Sequence, residues 1–190
     1  LVRAFEEEFG VEDAALRLSV PLRLGTWVAG DRDGNPYVTP ETTVAAVRRA
    51  AHVTLERYRD LLGALARRLS LSLRRVAVPE ALLASLETDR ALLPQVYAAN
   101  RLRNADEPLR LKTTYMAARV EATRREIAAR DAGLPAHEPA AYRDYHDLVA
   151  DLLLVREALV AAGAREACRT GLDPLVAEVR ANGFHGFQMD

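Results

Sequence analysis

"LSVPLRLGTWVAG", residues 18–30, is the stretch of sequence that decides the fold. Apolar residues alternate with Ser, Pro and Arg up to Leu24, and the β-prone residues Thr26, Trp27 and Val28 follow. A period of two is typical of a β-strand, and the apolar end indicates that this strand enters a core. The sequence therefore predicts a strand near residues 20–29.

Helical patterns fill most of the chain after this strand. Thr39, Pro40 and Glu41 are typical of a helix start, with an N-cap, a proline in the first turn and an early acid. A helix of about thirty residues is expected to follow, because apolar residues recur on one face. That face consists of Val44, Val47, Ala51, Leu55, Tyr58, Leu62, Leu65 and Leu69.

Four further stretches predict helices that begin at proline or end at glycine. They start at Pro79, near Pro94 and at Pro108, the last running to Gly133, and a strong pattern covers 141–162. Asp173 and Pro174 are expected to cap a short helix that stops at Asn182 and Gly183.

The C-terminal "GFHGFQMD", residues 183–190, is apolar and aromatic after a glycine, and predicts a second buried strand from residue 184. The expected organisation is a strand, a helical crossover over residues 39–182, and another strand. This is the unit of a parallel sheet or a (β/α) barrel. The predicted fold class is mainly α, with long helices and one or two strands.

Composition indicates one globular unit of 190 residues with a net charge of −1. Acidic and basic residues balance without a basic patch, so neither nucleic acid nor a membrane is expected as a partner. A single cysteine, Cys168, and no secretory signal favour the reducing cytoplasm. The chain begins at Leu1 and ends at Asp190 within patterned segments, and we expect both ends to be cuts in a larger protein.

The loop "GDRDGNP", residues 30–36, matches no standard ion or nucleotide motif. An EF-hand loop needs Gly at position six and Glu at position twelve, but counting from Asp31 gives Pro36 and Thr42. Neither the G-x-G-x-x-G pattern nor the P-loop with its lysine is present. Calcium and phosphate-cradle sites are therefore not predicted here.

Two interpretations of this loop remain open on physical grounds. In the first, it forms an active-site wall at the end of a strand, where Trp27 offers an apolar face and Arg32 binds a carboxylate or phosphate. Asp31 and Asp33 would then orient arginines or backbone amides. Alternatively, it is a tight turn whose polar residues bond their own backbone and whose Trp27 fills the core.

The string "TWVAGDRDGNPYVTPETT", residues 26–43, resembles a motif of the phosphoenolpyruvate carboxylase family. That motif usually reads Ser-Trp-Met-Gly-Gly-Asp-Arg-Asp-Gly-Asn-Pro, followed by Asn-Val-Thr. Trp27 and all of 30–36 match it. The stretches 107–123 and 172–190 resemble the family's Glu-Pro-Tyr-Arg segment and the lead-in to its next barrel strand. The resemblance covers residues 1–190, as a single segment of a larger catalytic chain.

The resemblance implies an α-rich enzyme built around a TIM-type (β/α) barrel. The family forms homotetramers, needs Mg²⁺ or Mn²⁺, and carboxylates phosphoenolpyruvate with bicarbonate to give oxaloacetate and phosphate. By this resemblance, Trp27 and Arg32 bind substrate, with Trp27 in an apolar pocket around the substrate's methylene group. Asp31, Arg32, Asp33 and Asn35 lie in the active-site loop.

The sequence also departs from the family pattern. Val28 and Ala29 stand where Met and Gly are common, and Leu109 replaces a Tyr. The family's His-Pro-Thr-Glu and Gly-Arg-Gly-Gly motifs do not occur, and its metal-binding acids are expected outside this chain. The 190 residues alone are therefore expected to be inactive. The alternative function is a helical scaffold or partner-binding module that keeps residues 30–36 as a structural turn.

Overall fold

Helices form most of the protein, as the sequence predicts. The computed structural model describes residues 2–10, 25–30, 33, 36–69, 78–102, 104 and 106–189. The helices are α1 (Val2–Phe9), α2 (Pro40–Arg68), α3 (Glu80–Leu92), α4 (Pro94–Asn100), α5 (Pro108–Asp131), α6 (Tyr145–Ala161), α7 (Arg165–Ala167) and α8 (Asp173–Asn182). A π-helical turn at Cys168–Leu172 lies between the last two.

Two strands flank the series of helices from α2 to α8. They are β1 (Gly25–Thr26) and β2 (Gln188–Met189), and they pair in parallel with Gly25 opposite Gln188 and Thr26 opposite Met189. Of the stretch 20–29, residues 20–24 lie outside the described residues. Helices α2 to α8 therefore connect two neighbouring parallel strands.

Local capping determines where several helices begin and end. The Thr39 side chain accepts a bond from Thr42 N, and Pro40 opens α2, which confirms the predicted start. Helix α8 ends at Asn182, and Gly183 has a φ of 55°. Helix α6 begins four residues later than expected, because Asp144 caps it by accepting from His146 N at 2.6 Å.

The expected cap at Asp173 is wrong. Asp173 is already the first residue of α8, and the chain reaches it directly from the π-helical turn. The carboxylate is buried and accepts a bond from Arg156 Nε at 2.8 Å instead of capping the helix. An aspartate before a proline predicted a cap because the sequence did not reveal this distant arginine.

The core lies between α2, α5, α6 and α8. Helices α2 and α5 form the most extensive helix pair and run antiparallel, since Arg48 Nη1 lies 2.7 Å from Asp131 and Arg110 Nε bonds Ala66 O. Most of the predicted α2 face is buried, but Val44 is exposed. Its exposure follows from the antiparallel pairing, which places it beyond the end of α5.

Candidate functional site

The loop after β1 carries Trp27, the predicted substrate-binding residue. Gly30 N donates to Trp27 O at 3.0 Å, and Val28 N donates to Thr26 Oγ1 at 3.1 Å. These two short-range bonds shape the turn. Trp27 is 72% exposed, so it does not fill a core formed by the described residues. Its indole is available to contact another molecule or another part of a larger protein.

The structure places only part of the predicted active-site loop. Asp33 is exposed to solvent. Asp31, Arg32 and Asn35 lie outside the described residues, so their places in the loop stay predictions. Of the predicted site residues, the structure therefore places Trp27, on a hydrogen-bonded turn, and Asp33.

Thr43 joins this turn to α2 by a hydrogen bond, and the sequence did not predict Thr43 as a site residue. Its Oγ1 donates to Ala29 O at 2.5 Å, across a separation of 14 positions along the chain. Ala29 has a φ of 63°, a left-handed conformation that is uncommon for a residue with a Cβ. The predicted helix start at Thr39 places Thr43 in the first turn of α2, but the contact depends on the path of the loop.

Helix α2 also contacts the turn that leads into β2. A Cβ at Gly186 would lie 2.6 Å from Thr54 Oγ1, and Gly186 has a φ of 78°. Nearby, Tyr58 OH donates to Gly183 O at 2.9 Å. Burial raises the pKa of Tyr58, so its hydroxyl remains a donor. One helix therefore contacts the chain beside both strands.

A buried ionic cluster joins α3, α5 and α6 away from the loop. Lys112 is fully buried, and its Nζ lies 2.7 Å from both Asp89 Oδ2 and Asp151 Oδ1. Arg119 Nη1 lies 3.0 Å from Asp151 Oδ2 and 3.4 Å from Asp89 Oδ1. Two cations thus balance two carboxylates. No periodic pattern in the sequence predicts this cluster, although Lys112 stands out as the only lysine.

Hydrogen bonds complete the cluster. Ser85 Oγ accepts from Lys112 Nζ at 2.6 Å, and Tyr142 OH donates to Asp151 Oδ2 at 2.7 Å. Burial and the nearby Asp151 raise the pKa of Tyr142 well above its ordinary value. Burial also raises the pKa of Asp89, although Lys112 opposes that shift. The enclosed, paired groups fit the role of holding three helices together.

Metal and membrane features can be stated for the described part of the chain. There, no three His, Cys, Asp or Glu side chains lie close enough to hold a metal ion. His52 Nε2 is 3.8 Å from Asp131 Oδ2, which is a pair and not a ligand set. These residues therefore do not fit a divalent cation by themselves. No helix in this part combines the length and apolar character required to cross a membrane.

Comparison with known proteins gives a match along the whole sequence. The profile of the family described as phosphoenolpyruvate carboxylase matches residues 1–190. A phosphoenolpyruvate carboxylase from Xanthomonas euvesicatoria is 37% identical over 190 residues, which are 100% of this chain and 20% of the relative. One from Thermosynechococcus vestitus is 37% identical over 175 residues, 88% of this chain and 17% of the relative.

A third relative, from a Nostoc species, has the same name and is 38% identical over 168 residues. The match includes 87% of this chain and 16% of that protein. The chain therefore spans about a fifth of the length of the curated relatives that it matches.

Proposed function

We propose that this chain, which belongs to the phosphoenolpyruvate carboxylase family, is one segment of an enzyme that forms oxaloacetate. The full-length protein would carboxylate phosphoenolpyruvate with bicarbonate and release phosphate. The observation that carries this proposal is the family match over the whole chain, combined with a share of only 20% of a full-length relative. The remaining catalytic groups would come from the rest of the parent chain.

We propose that β1 and β2 are neighbouring strands of a (β/α) barrel. Their parallel pairing and the helices α2 to α8 between them support this arrangement, because parallel strands need a crossover. Such a barrel places its active site at the carboxyl ends of its strands. Trp27 follows the carboxyl end of β1, at the position where this architecture puts substrate contacts.

Within that site, Trp27 would contact the methylene group of phosphoenolpyruvate, and Arg32 would bind one of its anionic groups. Asp31, Asp33 and Asn35 would complete the loop. The exposure of Trp27 supports this role, because a large apolar ring left in solvent is suited to a contact outside the segment.

The proposal assigns the other requirements of the reaction to the full-length protein. Mg²⁺ or Mn²⁺ would be held by residues outside this chain and would stabilise negative charge on the substrate. Bicarbonate would be the second substrate, and four identical subunits would form the active assembly. A cytoplasmic location agrees with the single cysteine, Cys168.

Activity of the full-length protein tests the proposal. We expect the full-length protein to form oxaloacetate from phosphoenolpyruvate and bicarbonate, and an assay coupled to malate dehydrogenase measures this product. We expect no oxaloacetate from the 190-residue chain. Trp27→Ala should lower kcat/KM for phosphoenolpyruvate about tenfold or more, as expected for losing an apolar substrate contact.

Tyr37→Ala provides the matched control, because Tyr37 is another exposed aromatic residue that precedes α2. It should leave kcat/KM nearly unchanged. An inactive full-length wild type would overturn the enzymatic proposal and favour the helical scaffold. Equal effects of the two substitutions would overturn the role of Trp27.

A further inference from the structure

We propose that Thr43 is a positioning residue that holds the loop bearing Trp27 in the conformation that receives substrate. Thr43 does so by bonding the carbonyl of Ala29, two residues after Trp27. The inference rests on the proposed function of Trp27 for its kinetic consequence. Its structural part, that Thr43 controls the conformation of the loop, stands on the geometry of the loop alone.

Packing does little to fix this loop. Trp27 is 72% exposed and Val28 is 76% exposed, so neither side chain anchors the turn in the described core. The bonds from Gly30 N to Trp27 O and from Val28 N to Thr26 Oγ1 are made inside the loop. The Thr43 bond differs from them, because it joins the loop to a long helix. Hydrogen bonding therefore controls how the turn sits on α2.

The backbone at Ala29 needs such a restraint. A φ of 63° brings an alanine Cβ close to the backbone, and this disfavours the conformation by about a factor of ten relative to glycine. Without an external bond, the turn would relax towards conformations with a negative φ. Thr43 Oγ1 offsets this preference by bonding the carbonyl of the strained residue itself.

Thr43 can act as an anchor because its own position is fixed. Pro40 opens α2, and Thr39 caps it by accepting from Thr42 N at 3.3 Å. Thr43 N donates to Thr39 O at 3.0 Å, within the first turn of the helix. The nearest acceptor for its hydroxyl is Ala29 O at 2.5 Å, and Thr39 O at 3.2 Å is the more distant alternative.

The kinetic consequence follows from mass action. When only a fraction of molecules has the receiving conformation, the apparent dissociation constant rises as the inverse of that fraction. A neutral hydrogen bond changes such an equilibrium by a factor of about 2 to 13. Removing the Thr43 hydroxyl should therefore weaken substrate binding about fivefold, and should leave the chemical step of bound molecules unchanged.

The test uses the full-length protein with Thr43→Val, Thr43→Ser and the double variant Thr43→Val/Ala29→Gly. Thr43→Val should raise KM for phosphoenolpyruvate about fivefold with kcat within a factor of about two. Thr43→Ser retains a hydroxyl and should restore KM. The double variant should recover part of the loss, because glycine adopts the left-handed backbone without strain.

Thr88→Val is the control. Thr88 Oγ1 bonds Ala84 O inside α3, so this variant loses a helical hydroxyl bond that does not involve the loop. Its KM and kcat should match those of the wild type.

A second readout is independent of activity. Full-length protein labelled with 5-fluorotryptophan gives a ¹⁹F signal for Trp27, which Trp27→Phe assigns. Thr43→Val should shift or broaden that signal, and Thr43→Ser should return it to its original position. An inactive wild type combined with this signal pattern would refute the proposed function and support the positioning role of Thr43. An unchanged signal and an unchanged KM in Thr43→Val would overturn that positioning role, and so would equal effects from Thr88→Val.

Discussion

Replacing Lys112 by Met tests the buried cluster most directly. Methionine keeps an unbranched apolar side chain in the same space and removes the cation. Lys112 is fully buried, and its Nζ is 2.7 Å from one oxygen of Asp89 and one of Asp151. Removing one partner of a buried pair usually destabilises a protein by about 3–5 kcal/mol. Arg119 still contacts both carboxylates, so we expect the lower end, about 3 kcal/mol.

The loss should depend on pH in a defined direction. In Lys112→Met, two buried carboxylates share one arginine, so the pKa of at least one of them must rise in the folded state. A carboxyl group whose folded pKa exceeds its unfolded pKa binds more protons when folded, and this stabilises the fold as pH falls through the raised value. The deficit should therefore shrink from pH 8 to pH 5.5, by up to about 1.4 kcal/mol for each unit below the raised pKa.

Urea unfolding of the 190-residue chain, followed by circular dichroism at 222 nm, measures both effects. Arg49→Met is the control, because the side chain of Arg49 is exposed on α2. It should change the free energy of unfolding by less than about 0.5 kcal/mol. A loss below about 1 kcal/mol in Lys112→Met, or a loss that is the same at both pH values, would refute the argument that the cluster holds the three helices together.

Two further predictions concern α2 and its neighbours. Gly186→Ala should lower the free energy of unfolding by about 1 kcal/mol more than Gly163→Ala, because both backbones are left-handed but only Gly186 faces an atom, Thr54 Oγ1, at 2.6 Å. Urea titration checks this, and equal losses would contradict the close contact. Hydrogen bonding from Arg124 lowers the pKa of Glu121, so its stabilisation is present above the unfolded pKa and is lost as pH falls through the lower folded one. Glu121→Gln should therefore reduce the melting temperature at pH 7 and have little effect near pH 3, whereas the exposed Glu157→Gln should have little effect at either pH.

Local signals predicted the helices well, because their causes lie within a few residues. A threonine before a proline caps α2, and glycine at position 183 follows the end of α8. The pattern over 141–162 predicts a start four residues too early, because Tyr142 lies before the helix and its N–H bonds Thr123 Oγ1. Periodicity reports which residues are apolar, and it does not separate a helix from a buried residue just outside it.

Contacts between distant residues were not predictable in the same way. Arg48 on α2 bonds Asp131, and Arg125 on α5 bonds Glu138. The cap predicted at Asp173 failed for the same reason, since Arg156 takes its carboxylate. Ion pairs of this kind require the tertiary arrangement of helices, and one sequence has no signal for which charge meets which.

The candidate site contains both a feature that local sequence predicts and a distant contact that it does not. The motif around Trp27 was recognisable as a string, and the start of α2 was predicted from its cap. The bond from Thr43 to Ala29 needed the structure, because it joins a loop to a helix whose relative path no local pattern specifies. The resemblance therefore identified the loop around Trp27, and the structure revealed the bond from Thr43 that joins this loop to α2.

Helix α2 contacts the chain beside both strands, at the turn after β1 and at the turn before β2. Thr43 bonds the loop after β1, and Thr54 lies against Gly186 before β2. These two threonines are 11 positions apart on one helix, which corresponds to about 16 Å along its axis. Helix α2 therefore contacts the chain at the exit of β1 and at the entry of β2, and its bond from Thr43 to Ala29 O lies beside the turn from which Trp27 faces outward.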